Sequence, residues 1–521
     1  MPEYYSLQFV LFMIVTVMVY YFLGKKKPGL QWVCLLIASL VYYLWSGVFY
    51  IFFILVTALC TWVSGLLFEK ISNKSRLAIK ECGKTDKDKK DAIKRKTKNR
   101  KKFVLITVLL ITFGILAFIK YVPESWHPIR GLLLPLGISF YTFQSVSYVI
   151  DSYNGDYPPE KNFLKFLLFI SYFPQLLQGP INRFDELSGQ LIANRDHIDI
   201  TLFQKGLLRI GYGLFKKYAI ANLLVGTISA IFDNVTPDIP GSVVVYGILL
   251  YSAQQYADFS GGIDIAIGVS ELFGIEMAPN FRQPYFSISL ADFWRRWHIS
   301  LGTWMRDYVF YPFALSKPMQ KFGKVTRKKL GKHLGGVLPA CLANILVFLV
   351  VGLWHGSASH NILWGLYNGI VIALSSILVP AFTKCNTIFH INVDGRPLHI
   401  FRIIRTFVIV NIGWYFDRIV NFEDCMTCFR NTLFNFSPER FVPTITDYNI
   451  PYIKSLSVVA VAACFVVFII SFCKEKGIDI AGRVIRTNVA AKTAIAIIVV
   501  LSIQLSYSMT GIAAGFLYAN F

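Results

Sequence analysis

Charge is what this chain has least of. Only 16% of its 521 residues are Asp, Glu, Lys or Arg, and none occurs in the 51 positions from His333 to Thr383. A soluble globular protein carries roughly 25% charged residues. Acidic residues are the scarcer sign, 30 against 52 Lys and Arg, for a formal net charge of +22. With 55% hydrophobic residues and a mean hydropathy of +0.52, the scarcity excludes a soluble globular domain. Apolar runs of about 20 residues recur from end to end, which predicts an all-α, polytopic helical membrane protein. The runs are continuous rather than alternating, so a membrane β-barrel is excluded as well.

Other absences narrow the chemistry. There is no GxSxG, no phosphate-binding glycine loop and no HExxH, so the common soluble hydrolase and nucleotide motifs are missing. Nine cysteines are scattered, several inside apolar runs, where a thiol behaves as a small hydrophobe. Cys425-Met-Thr-Cys428 has no second CxxC and no nearby histidine, so no metal site is expected. No Lys or Arg precedes the first apolar run and no small-residue cleavage pattern follows it, so the start does not read as a signal peptide. No inverted repeat is visible, which counts against a secondary transporter.

The charge that exists is concentrated. Lys70–Lys102 holds 15 Lys/Arg and 4 Asp/Glu, net +11, and Arg282–Lys332 holds 11 and 2, net +9. Because the rest is membrane-embedded, this distribution reads as positive-inside topology and not as a nucleic-acid surface. Lys25, Lys26 and Lys27 follow the first run and orient its N-terminus outside. Two further spans then return the chain inside at the large basic segment. Residues 69–102 are therefore expected to be a partly helical cytoplasmic loop within a single integral membrane domain over 1–521. Counting every apolar run gives about eleven spans, plus a re-entrant or interfacial segment over 281–332. The run Leu134–Tyr153 is rich in Ser, Thr, Gln and Tyr, residues that act as interhelical hydrogen-bond glue. Tyr256–Gly268, with Asp258 and Asp264 around Gly261-Gly262, reads as a broken helix, tolerated only when buried in protein or lining a cavity.

Ionisable residues inside a membrane chain are expensive and read first as a working site. The densest cluster is Asp292–Asp307, DFWRRWHISLGTWMRD. Trp294, Trp297, His298, Leu301 and Trp304 fall at helical spacing and make one stripe, with Asp292 as N-cap or first-turn acid. Arg295, Arg296 and Arg306 lie off or beside it, and Asp307 follows. Periodicity favours an interfacial amphipathic helix with Trp and Arg anchors. The alternative is a re-entrant helix lining a cavity, its arginines facing an anionic ligand. A second candidate is His355, in VGLWHGSASHNILWG within the uncharged stretch. Counted from Lys332, about 23 residues at ~1.5 Å each make ~34 Å, which puts it near the outer interface of a ~30 Å hydrocarbon core. A histidine hydrogen-bonded in a helix turn is the plain reading, and a general base is the functional one. Gly352, Gly356 and Gly365 let a substrate or another backbone approach closely.

NFRQPYFSISLADFWRRWHISLGTWMRDYVFYP, followed some fifty residues later by VGLWHGSASHNILWGLYNG, resembles the signature of the membrane-bound O-acyltransferases. The branch it most resembles is that of the bacterial alginate O-acetylation proteins, with the teichoic-acid D-alanylation acyltransferases further away. LPLGISFYTFQSVSYVIDSYNGDY, FPQLLQGPINRF and GWYFDRIVNFEDCMTCF extend the likeness over about Leu134–Phe429. The resemblance implies a ring of tilted helices around a central pore, in the bacterial cytoplasmic membrane. It places the family's invariant histidine on His355 and its second motif residue on His298. Asn280, Asp292, Trp294, Arg295, Arg296, Trp297, Arg306, Asp307 and Trp354 become candidates to bind the donor or support that pair. No bound cofactor is implied. The implied donor is acetyl-CoA or an acyl-carrier protein, the implied acceptor an exported polysaccharide, and the implied partner an extracytoplasmic acetyltransferase or relay protein, with membrane lipids around. The chain departs from the family pattern at Tyr415-Phe416-Asp417-Arg418, where two aromatics usually precede the arginine. The expected activity is O-acetyl transfer. D-alanyl transfer and lipid acylation are the rivals within the family, and a polysaccharide-precursor flippase is the rival outside it.

Overall fold

The computed structural model describes residues 6–82, 86–122, 135–176, 178–450 and 453–510. Helices dominate, and among the described residues no strand forms beyond one bridge between Phe281 and Trp297. An unpaired backbone group costs several kcal/mol in hydrocarbon, and a helix satisfies its own within one segment. The chain forms two compact units. One runs to Leu207 and includes Ala266–Ala278; the other comprises Leu208–Ile265 and the chain from Pro279 onward.

The first unit holds α1 (Leu7–Lys26), α2 (Gln31–Leu44), α3 (Ile51–Glu81), α4 (Lys87–Tyr121), α5 (Ile138–Asn154), α6 (Phe163–Ser171), α7 (Phe173–Leu176), α8 (Phe184–Ile192) and the start of α9 (Ile200–Lys216). Phe12 packs on Tyr42, Trp45 and Phe173 with ring centres 5.1–6.1 Å apart. Gln31 ties the return of the chain to this core, donating to the Arg195 carbonyl at 2.8 Å and accepting from the Arg195 N–H at 2.7 Å. At 31 and 35 residues, α3 and α4 are about 47 and 52 Å long, well beyond a ~30 Å hydrocarbon core. Their excess length is the basic excursion, which is helical on both sides of residues 83–85; those three lie outside the described residues. α5 is buried without interruption from Ile138 to Val149. The expected hydrogen-bond glue is only partly there. Ser147 bonds back to its own helix at the Gln144 carbonyl, and the Gln144 and Ser145 side chains have no hydrogen-bond partner among the described residues.

The second unit carries the remainder of α9, a π-helical turn over Lys217–Asn222, α10 (Leu223–Phe232) and most of α11 (Gly241–Glu271). After Pro279 come α12 (Leu290–Arg296), α13 (Ile299–Met305), α14 (Tyr311–Ala314), α15 (Lys317–His355), α16 (Ser359–Ile377), α17 (Val379–Ile388), α18 (Arg396–Arg418), α19 (Phe422–Phe434), α20 (Phe441–Asp447), α21 (Ile453–Glu475), α22 (Ile480–Ile485) and α23 (Val489–Thr510). α11 is one continuous helix, so the expected break at Gly261-Gly262 is corrected. Gly261 and Gly213 instead permit a close helix crossing: a Cβ on Gly261 would stand 2.9 Å from the Gly213 carbonyl oxygen, and one on Gly213 2.5 Å from that of Gly261. Asp258 and Asp264 are neutralised by Lys217 and Lys216 rather than lining a cavity wall. α15 is interrupted at Gly331 (φ 86°, ψ 172°), which separates its basic first part from the uncharged stretch that follows Lys332.

Among the described residues, seven helices are long and apolar enough to cross a membrane, eight if the 53° bend between α16 and α17 lies within one span. The sequence count of about eleven included α2, α5 and α6, which are too short, and α11 and α18, which are too polar over their length. Helices packed inside protein need not meet the length and apolarity that lipid demands, and the continuous burial of α5 is the example.

Candidate active site

Two short helices and the chain between them carry the first motif. Ser289 caps α12, its Oγ accepting from the Asp292 N–H at 3.1 Å, and Asp292 reaches back to accept from the Ile288 N–H at 3.2 Å. Asp292 is thus the first-turn acid and Ser289 the cap. α12 ends at Arg296, Trp297 is extended, and His298 adopts the left-handed conformation (φ 48°, ψ 52°) before α13 begins. The expected uninterrupted stripe is therefore broken at His298. The cause is pairing with a neighbouring segment. The Arg282 N–H donates to the Arg296 carbonyl at 2.9 Å and the Ile299 N–H to the Asn280 carbonyl at 3.0 Å. A left-handed histidine costs roughly 1–3 kcal/mol and persists only where its surroundings fix it.

Asn280 does the fixing. Its Oδ1 accepts from the Ser300 N–H at 3.0 Å and the Ser300 hydroxyl at 2.9 Å, and lies 3.2 Å from His298 Nδ1. An oxygen that takes a backbone N–H is an acceptor, so Nδ1 donates and Nε2 carries the lone pair. Burial pushes the His298 imidazole down to about 3, which keeps it neutral at physiological pH.

The second motif arrives on α15 and α16. Gly352 and Gly365 lie at their crossing, where a Cβ on Gly352 would stand 2.5 Å from the Asn361 carbonyl oxygen and one on Gly365 would meet that of Phe348. These two glycines serve backbone approach rather than a substrate. His355 is the last residue of α15 and is buried. From it a chain of rings links the two motifs. Trp354 lies 4.8 Å from His355 and 6.3 Å from His298; Trp364 lies 5.1 Å from His355 and 5.5 Å from Trp294. The Trp294 indole N–H donates to Asn368 Oδ1 at 3.0 Å. Phe259 closes on His298 edge-on at 4.8 Å.

So the structure brings together His298, His355, Asn280, Trp294 and Trp354. The other motif residues lie further out. Trp297 packs against Phe281, Phe293 and Trp414 at 5.0–5.7 Å, and joins the site rings through Phe293, 5.2 Å from Trp294, and Phe259, 6.3 Å from Trp297. Arg296 is engaged by Asp292 and Glu475 at 3.2 and 2.9 Å, and Arg306 by its neighbour Asp307 at 2.9 Å. In this structure both arginines are held by carboxylates of the chain. Arg295 is 71% exposed, with a long 3.6 Å contact to Asp292.

Sequence reasoning missed Phe259, Asn368 and a partly buried carboxylate network. Asp417 Oδ2 accepts from Tyr251 at 2.6 Å and from Gln255 Nε2 at 2.8 Å. Tyr251 and Gln255 are four apart on α11, which puts them on one helix face, and that spacing was the available signal. Cys425 and Cys428 lie one turn apart in α19, buried, as in an ordinary helix.

Two imidazoles near one indole, among further aromatic rings, are residue types that suit proton transfer at a hydroxyl. Comparison with known proteins points to the same chemistry. A family model, MBOAT, membrane-bound O-acyltransferase family, matches residues 7–327 and so contains the first motif but not His355. A protein of Pseudomonas aeruginosa named probable alginate O-acetylase is 32% identical over 79% of this chain and 71% of its own length. The peptidoglycan O-acetyltransferase of Helicobacter pylori is 29% identical over 72% and 74%. The teichoic acid D-alanyltransferase of Bacillus subtilis is 31% identical over 56% and 71%.

Proposed function

This chain belongs to the membrane-bound O-acyltransferase family and is a multi-pass membrane O-acyltransferase, and on that premise we propose that it transfers an acetyl group from a thioester donor to the hydroxyl of an exported cell-surface polysaccharide, or of a partner that relays it outward. The membrane is the bacterial cytoplasmic membrane, and the donor, acetyl-CoA or a loaded carrier protein, approaches from the side of the basic segments. His355 takes the proton of the acceptor hydroxyl. The oxygen attacks the thioester carbonyl, the carbon–sulfur bond breaks, and the thiolate leaves with that proton. His298 is too hard to protonate to serve as the base, and its Nε2 lone pair instead accepts a hydrogen bond from an N–H or O–H of a bound substrate. Arg295, the exposed one of the arginines, is the candidate for donor phosphates.

The observation that carries this reading is that both imidazoles, from two separate motifs, lie near the Trp354 ring, at 4.8 Å for His355 and 6.3 Å for His298. The names of the relatives support acyl transfer to cell-envelope polymers. The test is His355→Ala at equal membrane abundance. Acetyl esters on the polysaccharide are expected to fall at least ~100-fold, the contribution of a positioned general base. Undiminished acetylation would remove His355 from the role. Loss of D-alanine esters instead would change the acyl group, and altered membrane lipids with intact polysaccharide would change the acceptor.

A further inference from the structure

The second unit contains a cavity of about 180 Å³ outside the ring chain of the two histidines. Its walls are almost wholly apolar: Ile220, Tyr285, Phe286 and Phe407 face Cys464, Val467 and Phe468 of α21. Phe468 is 53% exposed, so the cavity opens on the outer face of a membrane-length helix. One end is strongly basic. Tyr256 and Ser471, which line the cavity, adjoin a cluster in which Lys216 Nζ lies 4.6 Å from the Tyr212 ring centre and 5.6 Å from that of Tyr256. Lys474 Nζ lies 5.2 Å from the same Tyr212 ring. Lys216 is paired with Asp264 at 2.6 Å, and Arg209 and Lys474 act on the same carboxylate, so these two supply the excess of positive charge there.

We propose that this groove binds an anionic phospholipid, with Lys474 receiving the phosphate and one acyl chain lying between α21 and the Gln283–Phe286 turn. Three observations favour a lipid over a soluble anion. The walls are apolar, and the opening is on a helix long enough to span the bilayer. The distance also fits: from Lys474 to Cys464 is ten residues of helix, ~15 Å, or about half of a ~30 Å hydrocarbon core. A chain anchored at Lys474 therefore reaches the bilayer midplane at Cys464. Lysine at the end of a span is placed to meet headgroups, and each such cation contributes about 1 kcal/mol toward an anionic surface. The bound chain would also matter to the site. Tyr256 and Tyr285 form the shared wall, their rings 6.2 and 6.3 Å from that of Trp297, the residue before His298. The proposal does not depend on the acyl-transfer reading.

The experiment is native mass spectrometry of the full chain released from nanodiscs of equal phosphatidylglycerol and phosphatidylcholine. The wild type is expected to retain phosphatidylglycerol preferentially. Lys474→Gln, an exposed position that leaves the core intact, is expected to reduce that preference about fivefold. Val467→Trp, which fills the groove, is expected to abolish retention of either lipid, with thermal unfolding confirming that it is folded. Equal retention of the two lipids by the wild type overturns the proposal. So does a preference that Lys474→Gln leaves unchanged, and so does retention that survives Val467→Trp in folded protein, which would reduce the effect to surface charge.

Discussion

Two buried polar clusters of the second unit have opposite designs. Around the π-helical turn, Lys217 meets Asp258 at 2.5 Å with both side chains 2% exposed, and Lys216 meets Asp264 at 2.6 Å and Ser260 at 2.7 Å. Each lysine there has a carboxylate of its own. Around Trp354 the titratable groups are imidazoles among aromatic rings, and His298 is held neutral by burial. Full charges survive in a low-dielectric interior only when compensated, and a compensated pair is committed to the fold. On the proposed function, a group kept neutral, with one ring nitrogen fixed as a donor, serves a substrate through hydrogen bonds. Both clusters place ionisable residues inside a membrane protein, where function is the first reading, and the proposal assigns the chemistry to the second.

The largest test of that contrast is Lys217→Ala. Removing one partner of a buried pair leaves an uncompensated charge, with a cost of about 3–5 kcal/mol. Folded protein in detergent is expected to fall sharply in thermal unfolding, and Lys217→Met combined with Asp258→Leu to recover most of the loss. A Lys217→Ala protein as stable as the wild type but unable to transfer acyl groups would break the comparison, because the pair would then belong to the chemistry.

On the other side, Asn280→Ala removes the acceptor that fixes His298 and Ser300. Misplacing a catalytic group by about 1 Å can cost ~100-fold in rate, so kcat is expected to fall roughly 10- to 100-fold. KM and folded yield should change far less. A change in KM alone would make Asn280 a binding residue.

The neutrality of His298 has a signature in pH. Its folded value, about 3, lies below the ordinary histidine value of 6.5, so the unfolded chain binds the extra proton first. Stability from this group is complete above pH 6.5 and is lost progressively as pH falls toward 3, by roughly 1 kcal/mol per pH unit. Thermal unfolding of His298→Gln should lack that share of the decline between pH 6.5 and 4.5. Parallel curves for the two proteins would mean that His298 titrates normally.

Much of this was legible in the residues. Continuous apolar runs and few charges predicted a helical membrane protein, and the family resemblance carried by the two tryptophan–histidine motifs, not their spacing, implied that these segments meet. What could not be read is instructive. The stripe from Trp294 to Trp304 has perfect helical spacing, yet it breaks at His298 because residues 280–282 pair with it from outside its own segment. The aspartates around Gly261-Gly262 suggested a broken helix because their partners, Lys216 and Lys217, lie some forty residues earlier. Periodicity describes one element at a time, and both errors concern what a second element does to the first.

A third kind of polar group, exposed and paired, should carry neither fold nor chemistry, and Arg306→Gln tests it. Its Nε and Nη2 contact the carboxylate of Asp307 at 2.9 and 3.4 Å, and the arginine side chain is 54% exposed. Exposed pairs contribute about 0–1 kcal/mol, because water screens them and two long side chains lose freedom in forming them. Thermal stability is therefore expected to shift by less than about 1 kcal/mol. If Arg306 only holds Asp307, KM for the thioester donor stays unchanged while Arg295→Gln raises it. If Arg306→Gln raises KM as much as Arg295→Gln, the pair opens to receive the donor's phosphates. The division between committed and available charge would then depend on bound substrate rather than on burial alone.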